Sequence, residues 1–97
     1  MQYKVDSEVL TIFLEGKINS ANSDNFDQEV DEIISKSSFC GLVIDCEKLT
    51  YISSAGIRVI LKIEKKIHNI KLTKVCDDVY KLLDLVGFTK VLTVERA

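Results

Sequence analysis

Read for the spacing of its apolar positions, the chain opens with two stretches of period two, Tyr3 to Asp6 and Val9 to Glu15, separated by Ser7 and Glu8. Alternation predicts strands, and so short a connection predicts an antiparallel hairpin. Gly16 is expected to break the second strand. From Ser20 onward Phe26, Val30, Ile33 and Ile34 recur at i, i+4, i+7 and i+8, one face of a helix. Its first half is acidic and its end carries Lys36, the distribution that the helix macrodipole favours.

Leu42 to Asp45 is a compact apolar run that predicts a buried central strand, with a loop after it. From Gly56 to His68 a second helix is expected: Gly56, Ile60, Ile63 and Ile67 share one stripe with Ile57 beside it, and Arg58, Lys62 and Lys65 point the other way. Ile70 to Val75, rich in β-branched residues, predicts a strand. Asp77 and Asp78 are expected to cap a third helix that buries Val79, Leu82, Leu83 and Val86 and stops at Gly87. Val91 to Glu95 completes the order β-β-α-β-α-β-α-β. The expected fold is α/β: one mixed, largely parallel β-sheet that opens with a β-hairpin and has helices packed on it. No repeat, low-complexity tract or linker interrupts residues 1–97, which are expected to form a single domain.

Composition narrows the class. With 97 residues, 46% of them hydrophobic, the chain can bury one core without help from metal or disulfides. Its apolar runs are too short for a membrane span, and Met1 to Asp6 lacks the basic and apolar regions of a secretory signal, so no direct membrane insertion and a cytoplasmic location are expected. Thiols stay reduced there, and Cys40, Cys46 and Cys76 are expected to be free and to line the core. Cys46 and Cys76 each follow a strand expected to neighbour the other, which would allow a redox-sensitive pair. With no C-x-x-C spacing and a single histidine, the chain is expected to bind no metal. Walker and dinucleotide loops are absent, and no cofactor is expected. A formal charge of −2 argues against nucleic acid as a partner. The charge is uneven, with Asp24, Asp27, Glu29, Asp31 and Glu32 in one segment and Arg58, Lys62, Lys65 and Lys66 in another; such runs usually mark solvated helix faces.

The candidate chemistry lies between Asp45 and Gly56, where the central strand is joined to the second helix, because ligands and partners of such sheets gather at strand carboxyl ends and helix starts. Ser53 and Ser54 stand there, followed by the small residues Ala55 and Gly56. Either serine can serve simply as a helix cap, and the small residues can serve simply to let helix and sheet approach. A nucleophilic role for Ser54 would need a base, but His68 lies fourteen residues along the same helix, about 20 Å away. The chain is therefore not expected to be an enzyme.

From Asp45 through Leu49, Tyr51-Ile52-Ser53-Ser54-Ala55-Gly56-Ile57 and Val59-Ile60-Leu61, the sequence resembles the signature of the STAS-domain anti-sigma factor antagonists. Leu14-Glu15-Gly16-Lys17-Ile18 and the run from Val79 to Phe88 support the resemblance, which covers nearly the whole chain. It implies a phosphoacceptor serine two positions before the signature glycine, which is Ser54 here. Many members carry aspartate where Ser53 stands, and Asn19 occupies a position where aspartate is common. The partner implied is an anti-sigma factor of the serine kinase type, bound while Ser54 is unmodified and released on phosphorylation, so that a sigma factor is freed or held; a phosphatase acting on the phosphoserine is a further implied partner. The expected binding surface comprises Asn19, Ser53, Ser54, Ala55, Gly56, Ile57, Arg58 and Lys62. The alternative role carried by the same resemblance is an accessory subunit of a membrane transporter or sensory assembly.

Overall fold

The computed structural model describes residues 1–97. Strands β1 (Gln2–Asp6) and β2 (Val9–Ile18) form the antiparallel hairpin, turned by Ser7 and Glu8 in left-handed conformation at φ 51 and 65. This is the backbone that two-residue hairpins prefer, because its twist matches that of the strands. Helix α1 (Ser23–Lys36), strand β3 (Gly41–Ile52), helix α2 (Ser54–Lys66), strand β4 (Ile70–Val75), helix α3 (Asp77–Leu85), a 3-10 turn (Phe88–Lys90) and strand β5 (Thr93–Arg96) follow. The sheet order is β1-β2-β3-β4-β5, with every pair after the first parallel. The mixed, largely parallel α/β architecture and the element order agree with the sequence reading.

One face of the sheet carries the core. Leu10, Ile12, Leu14, Leu42, Ile44, Ile70 and Leu72 alternate inward to meet Phe26, Val30 and Ile33 of α1, Ile57, Ile60 and Ile63 of α2, and Val79 and Leu83 of α3. Thr11, Phe13, Val43 and Thr73, between them on the strands, are only half-buried.

Several expectations are corrected. Gly16 does not end β2: at φ +74 it absorbs a register shift, and the strand continues to Ile18. β3 does not end at Asp45 but runs on to Ile52 beside β2, so most of the expected loop is strand. Its polar second half is supported by pairing to β2 alone, with shifts that spoil the period-two signal. α1 begins at Ser23, because a turn occupies 19–22, and α2 begins two residues before Gly56. The N-cap of α3 is Cys76, with Asp77 and Asp78 inside the first turn. Gly87 stops that helix at φ +77, as expected, but Val86 is 59% exposed and lies off the buried stripe. All three cysteines are free; Cys46 lines the core, Cys76 is half-buried and Cys40 is exposed.

Candidate functional site

β2 and β3 project beyond their neighbours: β1 reaches Phe13 and β4 reaches Asp45, whereas β2 and β3 stay paired to Ile18 and Ile52. The loops that leave this projection are thereby joined, and Ser53 N–H donates to Ile18 O at 2.8 Å. Asn19 is thus brought beside the serines, as its inclusion in the expected surface requires. Its side chain, however, faces its own turn, where Oδ1 accepts from the N–H groups of Ala21 at 2.9 Å and Asn22 at 3.2 Å. Asn22 answers by accepting the Asn19 N–H at 2.8 Å and donating Nδ2 to Lys17 O at 2.8 Å. These Asx turns fix the loop and delay the helix start.

The two serines do different things. Ser53, at φ −86 and ψ 172, is the N-cap of α2: its Oγ accepts from Gly56 N–H at 3.3 Å, and its carbonyl accepts from Ile57 N–H at 2.9 Å. Ser54 is the first helical residue, exposed, and its hydroxyl has no protein partner. The N–H groups of Ser54 and Ala55 precede the first intrahelical acceptor and have no partner within the helix. The first turn of α2 holds no acidic residue, while α1 has Asp24 and α3 has Asp77 and Asp78. The positive end of α2 alone is therefore left uncompensated.

Gly56 is buried, and its role is steric. A Cβ there would stand 2.7 Å from Ile18 Cγ2 and 2.8 Å from Ile52 Cγ1, so only glycine lets the helix start press onto the strand ends. Ile57 is also buried and Ala55 half-buried. Of the expected surface, then, Ser54, Arg58 and Lys62 are exposed, with the small residues supporting them from below.

Lys62 has a partner within the chain. Its Nζ donates to both carboxylate oxygens of Asp27, at 2.9 and 3.2 Å, and this hydrogen bond raises the lysine pKa. Lys66 faces Asp31 at 3.7 Å. Part of the acidic run of α1 and part of the basic run of α2 thus meet in a seam between the helices, with Lys62 half-exposed beside Asp27. Arg58 takes part in no ion pair.

Beside Ser54 runs a groove of about 180 Å³, walled by Ile57, Arg58 and Leu61 of α2 and by Val86, Phe88 and Val91 of the corner after α3. Val86 and Val91 are 59% and 51% exposed. The α3 side of this wall is absent from the surface expected from sequence; its signal is the apolar Val86, Phe88 and Val91 flanking a glycine helix stop. A larger concavity, about 410 Å³ between β2 and α1, touches neither serine.

The buried thiol near the strand ends is unreactive. Burial, then the Asp45 carboxylate and then Cys76 push the Cys46 thiol up to about 12, which keeps it protonated and unreactive. His68 lies past the end of α2, its side chain 82% exposed and 3.5 Å from Glu64. No helix is long and apolar enough to cross a membrane.

The STAS domain family matches residues 1–97. BtrV of Bordetella bronchiseptica, described as a candidate anti-sigma factor antagonist, is 30% identical over 98 residues, covering 97% of this chain and 83% of BtrV. A candidate anti-sigma factor antagonist of Thermotoga maritima has the same fold in its crystal structure, with a TM-score of 0.86 and 21% identity over 99% of this chain and 86% of that one. SpoIIAA of Bacillus in its unphosphorylated form gives a TM-score of 0.77 and 16% identity over 96% of this chain and 85% of that one. The chain therefore belongs to the STAS domain family, among its anti-sigma factor antagonists.

Proposed function

We propose that this chain is a protein-binding switch that holds an anti-sigma factor of the serine kinase type while Ser54 is unmodified and lets go when Ser54 carries phosphate. The observation that carries this reading is the division of labour at the start of α2. Ser53 performs the capping, which leaves the Ser54 hydroxyl exposed, unbonded and dispensable to the fold. In the transfer, Ser54 Oγ would form a bond to the γ-phosphorus of a kinase-bound nucleoside triphosphate; the bond to the diphosphate breaks, and the hydroxyl proton is released.

A phosphoserine adds about −1.5 to −2 charges, and the uncompensated helix end suits them, so the modified chain should stay folded. The switch then acts in the interface. Burying that charge unpaired against a partner shaped for a neutral hydroxyl would cost on the order of several kcal/mol, and each ~1.4 kcal/mol is tenfold in affinity. SpoIIAA, which shares the fold, exists in both an unphosphorylated and a phosphorylated form, consistent with a fold that tolerates the modification. The lone histidine past the far end of α2 supports a binding role over catalysis.

Incubation with the cognate anti-sigma kinase and ATP, followed by phosphopeptide mapping, tests the assignment. Phosphate on Ser54 is expected. Phosphate mainly on Ser53 would contradict it, because that oxygen is engaged in the cap.

A further inference from the structure

Ser54 and Arg58 stand at i and i+4 on α2 and line the same wall of the groove. Residues so spaced face one another on a helix surface, with Cβ atoms about 5–6 Å apart. A long helical side chain also leans toward the N-terminus and covers the turn before its own Cα. Both rules direct the Arg58 guanidinium toward the Ser54 hydroxyl. The other basic residues of the helix do not compete: Lys62 and Lys66 are held by Asp27 and Asp31, and Lys65 does not line the groove. On the opposing corner Asp84 accepts from Thr89 Oγ1 at 2.9 Å, and Lys90 is exposed; neither lines the groove, whose remaining residues are apolar.

We propose that Arg58 is the intramolecular receptor of a phosphate on Ser54, clamping it across the mouth of the apolar groove. This deepens the switch reading and rests on Ser54 being the modified residue. A guanidinium presents a planar fork that matches two phosphate oxygens, which lysine does not. In the unmodified chain the same guanidinium is open to a carboxylate of the partner, beside an apolar wall that can receive a hydrophobic side chain. Phosphorylation then does more than repel: it removes the cation and covers the apolar wall at once.

The test uses the full chain with phosphoserine installed at position 54 during translation, so that no kinase is needed. The second ionisation of the phosphate is followed by 31P NMR in this protein and in its Arg58→Gln, Arg58→Lys and Lys90→Gln variants. The midpoint with Arg58 present should lie about half a pH unit below that of Arg58→Gln, the size expected of one cation about 5 Å away in a water-like medium. Arg58→Lys should fall between them, Lys90→Gln should titrate like the parent, and the gap should shrink at about 1 M salt. Coincident titrations of the parent and Arg58→Gln, or an equal shift from Lys90→Gln, would overturn the clamp. Those results would leave the Ser54 switch standing, whereas unchanged partner affinity on phosphorylation would remove the switch with the clamp intact.

Discussion

α2 and α3 begin in comparable places, each at the carboxyl end of a parallel strand, yet their first turns are built differently. α3 starts from Cys76, which makes no side-chain cap, and draws its compensation from two carboxylates, Asp77 and Asp78. α2 has a serine cap, no carboxylate and a glycine pressed onto the strands below. α3 thus offsets its positive potential permanently but has no side-chain cap, whereas α2 is capped and its potential is not offset. α2 keeps its backbone in order with Ser53 and leaves the charge unsettled. A helix start of that kind can accept an anion later without having needed one to fold.

The comparison can be broken most forcefully at Gly56. Gly56→Val should destabilise by about 2 kcal/mol or more, because the added atoms enter space already held by Ile18 and Ile52. Denaturant unfolding checks this, and a near-neutral result would mean that the helix start is not held against the strands.

Under α3, the Cys46 thiol sharpens the contrast between a sealed helix start and an open one. Its pKa rises from 9.0 to about 12 in the fold, so both states are protonated below pH 9 and no stability is at stake there. Above pH 9 the unfolded chain loses a proton that the folded chain keeps, and stability falls, by about 1 kcal/mol at pH 10. Cys46→Val should remove this part of the alkaline slope in unfolding measurements. At neutral pH an alkylating reagent should label exposed Cys40 and spare Cys46.

Smaller effects separate the serines. Ser53→Ala should cost about 1 kcal/mol as a lost cap, while Ser54→Ala should change stability by less than about 0.5 kcal/mol. Thermal melts of the pair check the division of labour; equal losses would show that the two hydroxyls share the cap.

The parts of the fold legible in the sequence were those whose cause is local. The hairpin shows as alternation around Ser7 and Glu8, α1 as the stripe from Phe26 to Ile34, and the end of α3 as Gly87. The second half of β3 was not legible, because Glu47, Lys48, Thr50 and Tyr51 are exposed, and the shifts around Gly16 break the period. Partner choice across the fold was equally hidden: nothing near Lys62 announces Asp27, 35 positions away. At the site, the helix start singled out the serine pair and the resemblance Ser54, but which one caps depends on the backbone angles of Ser53. The exposed Val86 escaped because it reads as part of the buried stripe of α3, and Val91 because it reads as the start of the last strand, which begins at Thr93.

Ser54 as a surface switch is tested most directly by measuring anti-sigma factor affinity and melting temperature for Ser54→Ala and Ser54→Asp side by side. Both variants should melt within about 1 kcal/mol of the parent. Ser54→Ala should keep the partner, and Ser54→Asp should bind it at least about tenfold more weakly. Equal affinity for the two would contradict the switch and leave Ser54 an ordinary surface residue.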